Sequence, residues 1–304
     1  MSRIYDALQR ADRERRAANP AEVAESAETF AVPVAGDAAP PVLADVSLDN
    51  IALRPWTPEM SSLPTLGENG ESIEQFHGLR SQIYQYRDQA PFKTILISSG
   101  MPSEGKSFVA TNLAMSLARN KNNRVLLIDA DLRRPVLHTI LGAPISPGLT
   151  EYLAGHAEAN EILQRNQNPR IIDGGRVRHI PDLTFIPAGG GDNLLELVAN
   201  HRIEELTATL SPHFDWILID SPPVLAFADA IDLARGAEAV LLVARAATTP
   251  FDVAQRAQAA FSSSRILGFV LNAVKDAPRN RSYYYYYGRQ EDGRASKGRK
   301  DKRR

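Results

Sequence analysis

Residues Gly100–Ser107 (GMPSEGKS) form a glycine-rich loop between an apolar run and a helical pattern. They match G-x-x-x-x-G-K-[ST], and the preceding strand and following helix are the context that such a loop needs. Glycine lets the backbone close around a phosphate, while the amides at a helix N-terminus supply positive potential. The short pattern also arises by chance as a glycine turn that opens a helix, but its position here favours nucleotide binding.

The loop predicts how ATP and Mg²⁺ are held. We expect Lys106 to reach the β- and γ-phosphates and Ser107 to bind Mg²⁺. The other ATP-binding positions predicted in or next to the loop are Gly100, Ser103, Glu104, Gly105 and Phe108.

Apolar runs alternate with helical patterns from residue 92 onward. The predicted strands are Thr94–Ser98, Val125–Asp129, Leu183–Ile186, Trp216–Asp220, Ala239–Ala244 and Ile266–Leu271. The predicted helices are Lys106–Arg119, Leu194–Leu210, Ala228–Arg235 and Asp252–Ser264. Near-continuous apolar strands are typical of a sheet covered on both faces. The fold class is therefore α/β, a mostly parallel twisted sheet wrapped by helices, as in P-loop NTPases, with residues 134–180 as an insertion over one edge.

Three carboxylates lie at the end of two of these strands or just after it. Asp129 and Asp131 come at the end of VLLID and just after it, and Asp220 ends WILID. Because the carboxyl ends of parallel strands share one edge of the sheet, we expect all three beside Lys106. A lone aspartate there is usually a helix cap. Two such strand ends opposite a phosphate loop favour Mg²⁺ binding and positioning of a nucleophile.

Composition and charge divide the chain. Its 304 residues contain no cysteine, which excludes a disulfide framework and cysteine-based metal or nucleophile chemistry. The formal net charge of −1 argues against a wholly basic nucleic-acid binder, and no apolar stretch approaches the ~20 residues that span a bilayer. We therefore expect a cytoplasmic protein that binds no nucleic acid.

Four segments follow from these patterns. Residues 1–18 form a short helix, and residues 19–70, with seven prolines and a net charge of −7, read as a disordered acidic linker. Residues 71–276 form the phosphate-loop domain, which opens with a helix over Glu71–Gln89. Residues 277–304 form a flexible tail, whose last part, 289–304, carries a net charge of +5. This basic end either rests on anionic lipid or is a solvated charge run.

The tail holds five consecutive tyrosines, Tyr283, Tyr284, Tyr285, Tyr286 and Tyr287. Strand alternation would send them to both faces of a sheet, and no apolar residues continue a strand there. The run is either an aromatic, low-complexity surface tail or a set of phosphoacceptors. It starts 11 residues after Asn272, a distance of at most ~40 Å, so the second interpretation is sterically feasible.

The segments GMPSEGKS, LLIDADLRRP and ILIDSPPV, followed by the tyrosine run, resemble the bacterial tyrosine kinases (BY-kinases) of capsule and exopolysaccharide systems. The four pieces occur in that family's order and spacing, and the resemblance covers residues 71–288. The family is a branch of the ParA/MinD-like P-loop ATPases. Positioning ATPases of that group, the alternative function, usually carry a second lysine early in the loop, where this chain has Met101 and Pro102.

The resemblance implies an ATP-dependent protein-tyrosine autokinase that phosphorylates its own tyrosine run and so regulates polysaccharide polymerisation and export. Asp129, Asp131 and Arg133 match the family's Walker A′ motif, Asp220 matches Walker B, and Asn272 matches an adenine-contacting position. Lys106 and the three aspartates are then catalytic, and Ser107 and the same aspartates hold Mg²⁺. Either Asp129 or Asp131 takes the tyrosine proton. Arg133 either contacts phosphate or substrate or belongs to a solvated basic loop.

The resemblance also implies partners. Family members form rings through E-x-x-R-x-x-R, of which Glu74 and Arg80 are present while His77 replaces the middle arginine. A histidine lacks the bidentate, permanently charged fork of arginine, so we expect a weaker or pH-sensitive homo-oligomer. Other expected partners are a separate membrane polysaccharide co-polymerase, which would activate the kinase and hold it at the inner face of the membrane, and a phosphotyrosine phosphatase.

Overall fold

A computed structural model describes residues 51–67, 70–173, 176–190 and 202–274 of the chain. Within these ranges the strands are β1 (Ala52–Arg54), β2 (Thr94–Ser99), β3 (Val125–Asp129), β4 (Gln164–Asn166), β5 (Arg170–Asp173), β6 (Arg176–His179), β7 (Leu183–Ile186), β8 (Trp216–Asp220), β9 (Ala239–Arg245) and β10 (Ile266–Asn272). The helices are α1 (Glu71–Gln89), α2 (Lys106–Ala118), α3 (Leu137–Leu141), α4 (Leu149–Leu153), α5 (Arg202–Leu210), α6 (Asp229–Leu233) and α7 (Phe251–Ala260).

Eight strands form one sheet in the order β1-β4-β7-β3-β8-β2-β9-β10. The six strands from β7 to β10 in this order run parallel to their neighbours, whereas β4 is antiparallel to β7 and β1 is parallel to β4. β5 and β6 pair separately as an antiparallel hairpin. The prediction of a mostly parallel sheet is confirmed.

Helices cover both faces of the sheet, which explains the continuous apolar strands. Leu96 and Ile128 face a core cluster that includes residues of α5, α6 and α7. Their neighbours Ile95 and Leu127 face a second cluster, built with α1 and α2. Because successive side chains alternate between faces, both sets must be apolar.

The predicted elements agree with the structure where strands are buried. Three of the six predicted strands have the predicted ends, and the other three extend by one residue. The helix over Glu71–Gln89 also has the predicted limits. Of the helix predicted over Leu194–Leu210, the described part is α5. Residues 134–180 contribute α3, α4, β4 and the hairpin, and β4 lies towards one edge of the sheet.

The disordered linker predicted to run to residue 70 is wrong for residues 51–67. Trp56 and Leu63 are buried, and Trp56 Nε1 donates to Oε1 of Gln164 at 3.1 Å. Asn112 of α2 accepts the hydroxyl proton of Thr65 at 2.7 Å. The sequence gives no sign of these contacts, because each involves a single side chain rather than a periodic pattern, and the segment is rich in proline. The remaining segments predicted at the termini, residues 1–18, 19–50 and 277–304 with the tyrosine run, lie outside the described residues.

Candidate nucleotide and phosphoryl-transfer site

The glycine-rich loop turns sharply at Gly105, whose φ of 93° is left-handed. A Cβ at this position would overlap the side-chain amide of Asn272. That amide donates to the carbonyl of Glu104 at 2.9 Å. Only glycine satisfies both the backbone angle and this close approach. Asn272, the last residue of β10, therefore holds the loop in place. Asn272, for which sequence suggested an adenine contact, here positions the loop itself.

The buried carboxylate of Glu104 braces the loop from inside. It accepts the backbone N–H of Met101 at 2.7 Å and the hydroxyl proton of Thr249. Arg245 adds a hydrogen bond to the carbonyl of Ser103 at 3.3 Å. The side chain of Glu104 is therefore bound within the loop, and residues 245–249, at and just after the end of β9, preorganise the loop.

Lys106 lies among the carboxylates, as predicted. Its Nζ is 2.6 Å from Oδ2 of Asp131, 4.0 Å from Oδ1 of Asp220 and 3.3 Å from Oγ of Ser107. Burial lowers the pKa of this lysine, but the charges of Asp220 and Asp131 outweigh burial and raise it above its ordinary value. The ammonium group thus stays charged in a partly buried position, where it can meet an anion.

Asp129 and Asp220 lie side by side at the ends of β3 and β8, where they are paired in register. Oδ2 of Asp129 accepts the N–H groups of Val136 and Leu137 at 3.2 and 3.0 Å. Among the described residues, Oδ1 of Asp129 and both oxygens of Asp220 accept no hydrogen bond of ordinary geometry, although the Ser107 hydroxyl lies close enough to lower the pKa of Asp220. Buried carboxylate oxygens rarely remain unpaired, so these three atoms face a position suited to a cation or a proton donor.

Both carboxyls hold a proton more strongly than usual. Burial raises the pKa of Asp129 well above its ordinary value, and the charge of Asp220 adds to this effect. Burial raises the pKa of Asp220 to about 6, although the charge of Lys106 opposes the shift. A divalent cation bound there would offset this penalty by neutralising the two carboxylates.

The site suits Mg²⁺ bound together with a nucleotide. The part of the chain described here contains no group of three or more His, Asp or Glu side chains arranged to hold a metal alone. Mg²⁺ usually takes one or two protein oxygens, keeps several waters and shares the phosphates. The hydroxyl of Ser107 and the unpaired oxygens of Asp129 and Asp220 match that donor set.

Arg133 is paired within the protein. Its Nε and Nη2 donate to the two carboxylate oxygens of Asp229 at 2.7 and 3.3 Å, and its guanidinium lies 4.4 Å from the ring centroid of Phe227. This bidentate pair joins the loop after β3 to the start of α6. The phosphate or substrate contact of Arg133 stays a prediction, and making it would require the guanidinium to leave or share Asp229.

The residues predicted for subunit contact lie on α1. Glu74 is exposed and His77 is half-buried. Arg80 turns inward and donates to the carbonyl of Ser116 near the end of α2 at 2.6 Å. Phe76 of the same helix packs against Phe108, with ring centroids 6.0 Å apart. Phe108 directly follows Ser107, so α1 contacts the helix that begins at the phosphate loop.

A family model described as the CobQ/CobB/MinD/ParA nucleotide binding domain (CbiA) matches residues 95–296. The tyrosine-protein kinase YwqD of Bacillus subtilis (strain 168) is 32% identical over 221 residues, which cover 72% of this chain and 87% of that protein. The chain belongs to the bacterial tyrosine kinase family. The resemblance indicated by the three sequence motifs and the tyrosine run is thereby confirmed.

Two further relatives agree with this assignment to the bacterial tyrosine kinases. The tyrosine-protein kinase ptk of Acinetobacter johnsonii is 33% identical over 67% of this chain, which spans only 26% of that longer protein. The structure titled the kinase domain of Escherichia coli tyrosine kinase ETK superposes with a TM-score of 0.58 and 30% identity, covering 66% of this chain and 75% of that one. No helix in the described ranges of this kinase-family chain has the length and apolar character needed to cross a membrane.

Three residues shape the site of this bacterial tyrosine kinase family member without any sequence pattern that marks them. Thr249 and Arg245 hold the phosphate loop from 142 or more positions away, and Asp229 holds Arg133 across 96 positions. No local pattern signals such pairs. The only sequence signal was positional, since Arg245 ends β9 and Asp229 lies in the stretch after β8, and the carboxyl ends of these parallel strands share one rim of the sheet.

Proposed function

We propose that this chain is an ATP-dependent protein-tyrosine kinase that phosphorylates its own run Tyr283–Tyr287. The observation that carries the proposal is the group of three strand-end carboxylates beside Lys106, with buried oxygens unpaired. Membership of the bacterial tyrosine kinase family and the tyrosine run support the same reaction.

The roles of the residues follow from their chemistry. Lys106, already charged, leaves Asp131 and neutralises the β- and γ-phosphates. The carboxylate freed in this way, that of Asp131, is well suited to accept the proton of an incoming tyrosine hydroxyl. Asp129, whose Oδ2 is held by two backbone N–H groups, is better suited to the metal side of the site. Bound Mg²⁺ would offset the charge that develops on the transferred phosphoryl group.

The proposed biological role is the regulation of exopolysaccharide or capsule polymerisation and export. The partners proposed with it are a membrane polysaccharide co-polymerase that activates the kinase at the inner face of the membrane, a phosphotyrosine phosphatase and further copies of the chain in a transient ring. Exposed Glu74 and half-buried His77 are the proposed subunit contacts. Arg80 would join them only by giving up its bond to Ser116.

The test is to incubate the purified chain with Mg-ATP and to map phosphotyrosine by mass spectrometry. We expect phosphate on Tyr283–Tyr287 in the wild type and none in Lys106→Met. Lys121→Met, which alters an exposed lysine outside the site, is the matched control and should retain the signal. If ATP drives dimerisation and hydrolysis without any phosphotyrosine, even with a membrane activator present, the chain is a positioning ATPase of the MinD/ParA type.

A further inference from the structure

A basic groove lies where the parallel strands of the sheet begin, at the end of the sheet opposite the nucleotide site. Its volume is about 680 Å³, and its lining includes Arg119, Lys121, Arg124, Val177 and His179. Arg124 comes directly before β3, whereas the site lies where β3 ends. The groove is therefore separated from the catalytic carboxylates by the full length of the strands.

The positive charge of this groove is only partly neutralised. Arg124 pairs with Asp215 at 3.5 Å, and the lining carboxylate of Asp182 is offset by Arg165 at 3.7 Å. Within the described ranges, no carboxylate pairs with Arg119 or Lys121. Burial and the nearby charge of Arg80 lower the pKa of Arg119, which is the effect expected where cations lie close together.

The hairpin of β5 and β6 adds an apolar contact surface beside the groove. Ile172 and Val177 are paired directly across the hairpin and are 80% and 66% exposed. Arg170, two positions before Ile172, pairs with His179, two positions after Val177. Both share this face and are also exposed. Ile171, on the other face, packs against the core. A directly opposed pair of exposed aliphatic side chains next to a basic groove is suited to an acidic and apolar segment.

Such a segment exists in the same chain. Residues 19–50 contain six acidic residues and no basic ones. Glu22, Glu25 and Glu28 form an acidic block, and Phe30, Val32 and Val34 follow it at alternate positions. From Val34 to Ile51, where the described structure begins, the chain can span at most ~60 Å, so reach is no obstacle. Covalent attachment also supplies a local concentration in the millimolar range for short flexible connections.

We propose that residues 22–34 bind the basic groove of their own chain. The glutamates lie against Arg119 and Lys121, and the apolar block lies on Ile172 and Val177. The order of the two blocks, acidic then apolar, favours this segment over a lipid surface, which would use the cations but has no corresponding order. Kinase activity is not required for this interaction.

The absence of cysteine allows a direct test in the full-length chain. Ser26→Cys and Asn122→Cys introduce two spin labels, one within the segment and one on an exposed position beside the groove. Pulsed electron paramagnetic resonance then measures the distance between them at low salt. We expect a narrow, short-distance population, and a narrow population at a longer distance when the second label is placed at exposed Gln255→Cys on α7.

Charge reversal identifies the contacts. Lys121→Glu, or the triple change Glu22→Lys, Glu25→Lys and Glu28→Lys, should reduce the short-distance fraction by about fivefold or more. Salt at 1 M, where the Debye length is about 3 Å, should have the same effect as charge reversal.

A broad distribution in the parent chain overturns the proposal. A short distance that disappears on dilution with unlabelled chain also overturns it, because the contact is then between chains. Binding to phosphatidylglycerol vesicles that Lys121→Glu abolishes, without a short distance in the free chain, assigns the groove to lipid and overturns it as well.

Discussion

The ammonium group of Lys106, which the phosphate loop is expected to offer to the β- and γ-phosphates, lies 2.6 Å from Oδ2 of Asp131. The loop residue that should bind phosphate is therefore occupied by a carboxylate. In the proposed function, nucleotide binding breaks this ion pair and frees Asp131 beside the phosphoryl group. A single contact would then link the arrival of ATP to the appearance of a general base.

Asp131→Asn separates these two consequences. With the charge removed, Lys106 no longer has to leave a carboxylate, so ATP should bind about tenfold more tightly in EDTA. Phosphoryl transfer should fall by about 10²–10⁴-fold, the usual contribution of a positioned base. Calorimetric titration and single-turnover assays measure the two effects, with Asp252→Asn, an exposed residue of α7, as the control. Unchanged or weaker ATP binding in Asp131→Asn would show that the ion pair does not oppose the nucleotide.

Asp229→Asn tests the brace on Arg133. The pair is half-buried and bidentate, so its loss should lower the free energy of unfolding by about 1.5–3 kcal/mol. The matched control is again Asp252→Asn, whose partner Arg256 is 65% exposed at 3.6 Å, and its cost should stay within about 0.5 kcal/mol. Urea denaturation gives both values. Equal costs for the two substitutions would mean that Asp229 contributes no more than a surface ion pair.

Trp56 tests whether residues 51–67 belong to the cooperative unit. Trp56→Ala should cost about 3–5 kcal/mol through the cavity it leaves. Trp56→Phe keeps much of the packing but leaves Oε1 of Gln164 without its donor, at about 1–3 kcal/mol. Leu53→Ala on β1, where Leu53 is 63% exposed, should change stability little. If Trp56→Ala is as mild as Leu53→Ala, the segment is not part of the folding unit.

The nucleotide-free chain should gain stability from its buried carboxyls as the pH falls from 7 towards 5. Burial raises the pKa of Asp220 to about 6, whereas an unfolded aspartate titrates near ~3.9, so the folded state binds the extra proton in this window. The stabilisation from this proton is fully present below the unfolded value and is lost as the pH rises through about 6. The raised pKa of Asp129 acts in the same direction.

Asp220→Asn provides the comparison for this pH effect. The variant carries no titrating group at that position, so its melting temperature should depend less on pH between 5 and 7. Differential scanning calorimetry in EDTA measures both slopes. Parallel slopes for wild type and variant would assign the pH dependence to other groups.

The sequence predicted those features that depend on local pattern and on the geometry of parallel sheets. Doubly buried strands such as Val125–Asp129 have no polar face, so their limits could be predicted directly. Asp129, Asp131 and Asp220 meet Lys106 because parallel strands place their carboxyl ends together. The features that sequence reasoning did not identify are pairwise contacts. Trp56 with Gln164, 108 positions apart, Arg133 with Asp229 and Thr249 with Glu104 depend on the finished fold, and no periodicity encodes them.

The most direct test of the central claim compares the wild type with a chain in which Tyr283–Tyr287 are all changed to phenylalanine. Both are incubated with Mg-ATP labelled on the γ-phosphate, and protein-bound and released phosphate are counted separately. We predict that the substituted chain loses protein-bound phosphate while it still binds ATP, because the nucleotide site remains complete. Equal protein-bound phosphate in the two chains would contradict autophosphorylation of the tyrosine run.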